Sequence, residues 1–319
     1  MRRWGASGGT WATVGLVVLA AAALVLAFAA MRSTRATPVP TPSGSALAPA
    51  DEDANQPRGN EPDDDATATD ALPEAIEPPL LMVDTALAYR GRTGTCLGGA
   101  ALEGTTNGGR SWRPLEVPAE AILDLRTTGA DSVEVVGADE QCRVRVWSSP
   151  DRGQTWSGPS PAGNMFVRLP DTARDIATPT GVAKNPCRDR DAPPLTVEQI
   201  SATEAMVLCA DGEVIATTDG GLTWVVRAAV VGAQAMAFEG PQLGWVLVRD
   251  GGRCPSYEAQ VTQDGGVTWN LGGCLGETRI ADDRVLPSLS FATPSDGLAD
   301  LAGEPYVTPD GGRLWQLPG

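Results

Sequence analysis

Thr217-Thr218-Asp219-Gly220-Gly221-Leu222-Thr223-Trp224 is one of five versions of a single octet in this chain. The others are 105–112, 149–156, 262–269 and 308–315, so the starts fall 44, 68, 45 and 46 residues apart. The shared form is Ser/Thr-x-Asp/Asn-x-Gly-x-Ser/Thr/Leu-Trp. Five copies of such a sentence point to a repeat architecture.

Working outward from Thr217, the residues before it alternate as short strands. Ala205–Cys209 reads as a strand, Asp211-Gly212 as a tight hairpin turn and Glu213–Thr217 as the returning strand. The octet turns the chain again, and Trp224 opens an outer strand. Leu195–Ile200 supplies an inner one, giving four antiparallel strands per repeat. Residues 132–147 and 244–261 follow the same order. Phe238 and Gly244, like Phe291 and Gly297, also share one offset ahead of their strands. Units of about 40–45 residues with four strands are the mark of a β-propeller. The fold expected is therefore all-β, a propeller of about five four-stranded blades over residues 80–319. The spacing of 68 holds an insertion of about 23 residues within 157–194. A sixth, degenerate blade there is the alternative count, and it would be cramped.

The octet residues have turn chemistry. A carboxylate at position three can accept backbone N–H bonds across the turn, and glycine permits positive φ. The tryptophan carries a large apolar ring to pack between sheets. Asn107, Asp151, Asp219, Asp264 and Asp310, with Trp112, Trp156, Trp224, Trp269 and Trp315, are thus read as structural. One carboxylate per turn is no metal cage, and Asn107 replaces one of the five. No metal and no cofactor is expected.

These octets resemble the Asp-box, or BNR repeat, of sialidases and related propellers. With the segments before them, such as Phe238…Gly244-Trp245-Val246, the unit resembles the photosystem II stability/assembly-factor type. The resemblance covers residues 80–319 and implies the fold; Asp-boxes occur with many functions. A sialidase would need a Tyr nucleophile beside a Glu, an Asp acid/base and three arginines. The chain offers Tyr89, Tyr257 and Tyr306, with Glu258 and Glu304 close by, and Arg168, Arg279 and Arg284. Val167-Arg168-Leu169-Pro170 is similar to the Arg-Ile-Pro motif of that family. Here it follows the second octet instead of preceding the first.

Composition narrows the function further. There is no histidine, which excludes Ser-His-Asp and Cys-His sites and His-ligated zinc. The net charge is −16, with ten acids against Arg58 in residues 37–79. Such a surface repels phosphate backbones, so no nucleic-acid partner is expected.

Behind Met1-Arg2-Arg3, residues 10–30 are uncharged and mostly apolar, long enough to cross roughly 30 Å of hydrocarbon. Residues 1–31 read as a short cytoplasmic end with a single-pass membrane anchor. Ala27-Phe28-Ala29 supplies the competing reading, a cleaved signal that would leave a secreted protein. Residues 32–79, rich in Pro, Ala and acids, read as a disordered linker.

Either way the propeller is extracytoplasmic. There Cys96, Cys142, Cys187, Cys209, Cys254 and Cys274 are expected to form disulfides. Fifteen pairings exist; nearest neighbours in chain order give 96–142, 187–209 and 254–274. Strand alternation puts the octet turns on one face. Four cysteines then fall in second-to-third-strand hairpins, and Cys187 and Cys274 in connections between blades, all on the other face. The function expected is a membrane-anchored, non-catalytic binding or assembly module whose protein or glycan partner meets that face. The alternative is a sialidase-like glycosidase.

Overall fold

The computed structural model describes residues 77–172, 174–187, 192–249, 251–276 and 286–319. The expected anchor at residues 10–30 and the linker as far as residue 76 lie outside the described residues. Among the described residues, all regular structure is β, in six antiparallel sheets.

The first sheet is β1 (Leu80–Met82), β2 (Ala88–Arg92), β3 (Ala101–Thr105) and β4 (Arg113–Leu115). The second is β5 (Ala121–Arg126), β6 (Val133–Ala138), β7 (Val144–Ser149) and β8 (Ser157–Pro161). The third has only β9 (Val167–Arg168), β10 (Ile176–Thr178) and β11 (Gly181–Ala183). The fourth is β12 (Pro194–Gln199), β13 (Ala205–Cys209), β14 (Glu213–Thr217) and β15 (Val225–Ala229). The fifth is β16 (Ala233–Glu239), β17 (Leu243–Arg249), β18 (Tyr257–Thr262) and β19 (Asn270–Leu275). The sixth is β20 (Ser288–Phe291), β21 (Gly297–Leu301) and β22 (Glu304–Thr308). Strands β1, β5, β9, β12, β16 and β20 touch in turn, and β20 touches β1. The ring closes as a six-bladed propeller.

Five blades were expected, and the sixth lies in the insertion. It was hidden because it has no octet. The turn between β10 and β11, Thr178-Pro179-Thr180-Gly181, packs on the octet turn of the next blade, where Thr180 Oγ1 donates to Gly220 O at 2.8 Å. A Cβ on Gly221 would lie 2.6 Å from the Thr178 side chain. That turn therefore belongs to the octet face. Strands β9, β10 and β11 take the second, third and fourth places of a blade, and among the described residues no strand pairs inward of β9. Blade six is also short: its outer strand is reduced to a bridge between Val307 and Gln316.

The core is a set of packed interfaces between sheets. Each octet tryptophan sits in the cluster its blade shares with the preceding one. Trp156 packs with Leu102 and Trp147, and Trp224 with Ile176 and Val207. Trp269 lies with Met206 and Val246, and Trp315 with Trp245 and Tyr257. Trp112 closes the ring with Met82 and Leu298. Among the described residues, the interface between blades two and three has no tryptophan, and its buried members are Val136, Val146 and Val167. The repeated Phe and Gly offset has the same origin. Phe238 pairs with Gly244 and Phe291 with Gly297 across the first hairpin. A Cβ on either glycine would enter the ring, at 2.6 and 2.5 Å.

Candidate functional site

The octets are closed hydrogen-bond systems. The buried hydroxyl at position one donates to the side chain at position three at 2.8–2.9 Å, from Thr105, Ser149, Thr217, Thr262 and Thr308. It also accepts the amide of the glycine at position five, at 2.7–3.1 Å. In Asp151, Asp219 and Asp264, Oδ1 accepts the position-seven amide and Oδ2 the position-seven threonine hydroxyl at 2.6 Å. The hydroxyl bond, then the amide, holds these three carboxyls down at about 2. The amide at position four then binds the first-hairpin turn of its own blade, at Ala86, Asp131, Thr203, Gln242 and Ser295. The octet carboxylates spend their acceptor capacity inside the turn.

The opposite, hairpin face carries the cysteines. Cys96 bonds Cys142, Cys187 bonds Cys209 and Cys254 bonds Cys274. The first links blades one and two and the second links blades three and four. The third lies within blade five, because Cys274 is on the outer strand β19, paired opposite Glu258, and not in a connection as expected. The Cys96 staple holds a turn in which Thr95 and Gly98 exchange backbone hydrogen bonds at 2.9 and 3.0 Å. Leu97 at its apex is 96% exposed.

At the base of that hairpin, a cleft of about 760 Å³ opens between blades one and six. Leu102, Leu115, Val117 and Leu286 form its apolar wall, and Arg90, Arg92, Glu103 and Asp300 its polar groups. Arg90 crosses the seam, bonding Glu103 at 2.7 Å and Asp300 at 2.8 Å, and lies over the Trp112 ring at 4.5 Å. Arg92 is exposed and has no ion-pair partner among the described residues. The cleft combines a built hydrophobic floor with a few oriented charges, the composition of a recognition site.

A second cluster lies on the axis, around a cavity of about 70 Å³ bordered by Leu123, Asp124, Phe166, Arg168, Thr196, Glu198 and Leu289. Glu77, from just ahead of β1, also borders it. Its Oε2 accepts the Thr196 hydroxyl, and its Oε1 the Leu289 amide at 3.3 Å. Burial pushes the Glu77 carboxyl well above its usual range against those bonds. Burial, helped by the charge of Asp124, raises Glu198 to about 8. Asp124 itself is tied to Arg126 at 2.6 Å.

Among the described residues, those expected of a sialidase site do not converge on the axial cavity. Arg168 is buried with its guanidinium on Pro194 O at 2.8 Å, beside the axis. Tyr89, Tyr257 and Tyr306 are buried on β2, β18 and β22, and none borders the axial cavity. Tyr257 donates to Gln234 and Tyr306 to Glu304. Arg279 and Arg284 lie outside the described residues. Sequence reasoning missed Glu77, Glu198 and the cleft. Glu198 is one residue of an ordinary-looking strand, and the cleft joins segments some 200 positions apart, so neither left a local signal.

No family model and no curated protein matches this chain. Among solved structures, YCF48 from Cyanidioschyzon merolae is 14% identical, covering 76% of this chain and 84% of its own, with a TM-score of 0.40. A triple mutant of AofleA from Arthrobotrys oligospora is 8% identical over 76% and 85%, TM-score 0.44. The Hadza microbial sialidase Hz136 is 15% identical over 76% and 58%, TM-score 0.32.

Proposed function

We propose that this chain is a membrane-anchored extracytoplasmic recognition module. The propeller holds a protein partner on its hairpin face, at the cleft between the first and last blades. The observation that carries the reading is that cleft, apolar-floored and lined by the base of the stapled hairpin whose apex presents Leu97. Exposed apolar side chains held rigid are efficient anchors, because little side-chain freedom is lost on binding. Residues 10–30 fix the module to the membrane in this reading, and the octet face is scaffold.

The test is capture from the cell envelope with the full chain, comparing Leu97→Asp with the unaltered protein. Leu97 packs on nothing, so the variant keeps the fold. Loss of a specific partner supports the reading; equal recovery would overturn it.

A further inference from the structure

The chain joins the propeller through its centre. Thr196 on β12 and Leu289 on β20 both donate to the Glu77 carboxyl, so one side chain is held by two blades on the axis. The next residue, Pro78, borders the axial cavity and also lines the cleft. Ile76 is thus bonded to a residue on the axis and stands two positions from one that lines the cleft. The sequence ahead of Glu77 fits that place. Between Leu47 and Leu72 there is no Leu, Ile, Val, Met or Phe; then Leu72 and Ile76 arrive in Asp70-Ala71-Leu72-Pro73-Glu74-Ala75-Ile76.

We propose that residues 70–76 dock in cis in the cleft, so that the protein carries its own competitor for the site. This rests on reading the cleft as a recognition site. Leu72 and Ile76 meet the wall of Leu102, Leu115, Val117 and Leu286, and Asp70 or Glu74 meets the unpaired Arg92. Pinned at Glu77, the segment is present at an effective concentration on the order of millimolar, so even weak contacts fill the cleft. A partner must displace it. An extended chain at Glu77, which precedes a proline, would carry Ile76 to the side of Pro78.

The experiment uses the full chain in detergent with the photoreactive residue benzoylphenylalanine in place of Leu72. Adducts are mapped by peptide mass. Intramolecular adducts on residues 100–103 or 114–117 are expected. Their yield should fall up to about fivefold with Arg92→Glu, the loss of a rim ion pair, and by roughly tenfold or more with Ile76→Asp, the loss of apolar burial. Adducts elsewhere in the chain, adducts only between molecules, or a yield no higher than with the probe at Thr41 would overturn cis docking. The two readings fail separately. If Leu97→Asp abolishes partner capture while the probe avoids the cleft, only the cis docking is lost. If the probe maps to the cleft while capture ignores Leu97, the recognition reading is lost.

Discussion

At the scale of single residues, five nearly identical turns amount to an internal mutation series. The fifth octet has Leu314 where three others have threonine, so Asp310 lacks the hydroxyl bond that Asp151, Asp219 and Asp264 receive at 2.6 Å. Leu314 is also 56% exposed. Leu314→Thr restores the bond without emptying the core. It should add about 0.5–1 kcal/mol, a rise of about 1–3 °C in thermal midpoint by calorimetry; an unchanged or lower midpoint would count against the turn chemistry. Protonation tests the other carboxylates. Asp151, Asp219 and Asp264 sit at about 2, below the unfolded value near 3.9. Their stabilisation is present above pH ~4 and lost as pH falls toward 2. Glu198 works the other way. Its carboxyl stays protonated in the fold up to about 8, while an unfolded glutamate ionises near 4.3. Stability from this group is present below pH ~4.3 and declines as pH rises to about 8. Glu198→Gln should remove that decline, seen as a flatter midpoint-against-pH curve between pH 5 and 8. A curve identical to that of the unaltered protein would mean that Glu198 is ionised in the fold.

At the scale of elements, the octets were fully legible because the hydroxyl and carboxyl bonds that close each turn join residues within one octet. The blade without one was not. Its surviving signal is Ile176-Ala177-Thr178, the same three residues that lead into and open the third octet as Ile215-Ala216-Thr217. Four-stranded alternation could not reveal it, since blade three has lost its first strand and its tryptophan. Loss of the tryptophan leaves the interface between blades two and three with three small valines, where other interfaces bury a ring. Native-state hydrogen exchange should therefore find β9–β11 opening at lower free energy than any other blade; uniform protection around the ring would contradict this. The Cys187–Cys209 bond ties that blade to its neighbour across a 22-residue separation. Replacing both cysteines by alanine should cost about 3 kcal/mol in denaturant unfolding. A loss well under 1 kcal/mol would mean that the staple does not support the weak blade.

At the scale of the whole molecule, closure decides both stability and site. In blade six the outer strand is a single bridge, and two bonds from blade one seal the ring: the Met82 backbone amide donates to Ser290 Oγ at 2.9 Å and the Arg90 guanidinium pairs with Asp300. Arg90→Met should cost about 2 kcal/mol, since it strands the largely buried Asp300; a neutral outcome would shift closure onto the apolar cluster of Met82, Ala88 and Leu298. The same seam forms the cleft. Only closure brings β2 and β3 against Leu286 and the β21–β22 hairpin, so no local reading of the sequence contains it. What strand alternation did foretell was the face. The cysteine hairpins and the cleft share it, and the octet turns lie on the other. The central claim, that recognition happens at this cleft, meets its most direct test in the affinity of the captured partner for two full-length variants. Val117→Asp on the cleft wall should weaken binding by tenfold or more, while Leu222→Asp on the octet face should leave it unchanged. Weakened binding by Leu222→Asp with no effect of Val117→Asp would place recognition on the octet face and contradict the account.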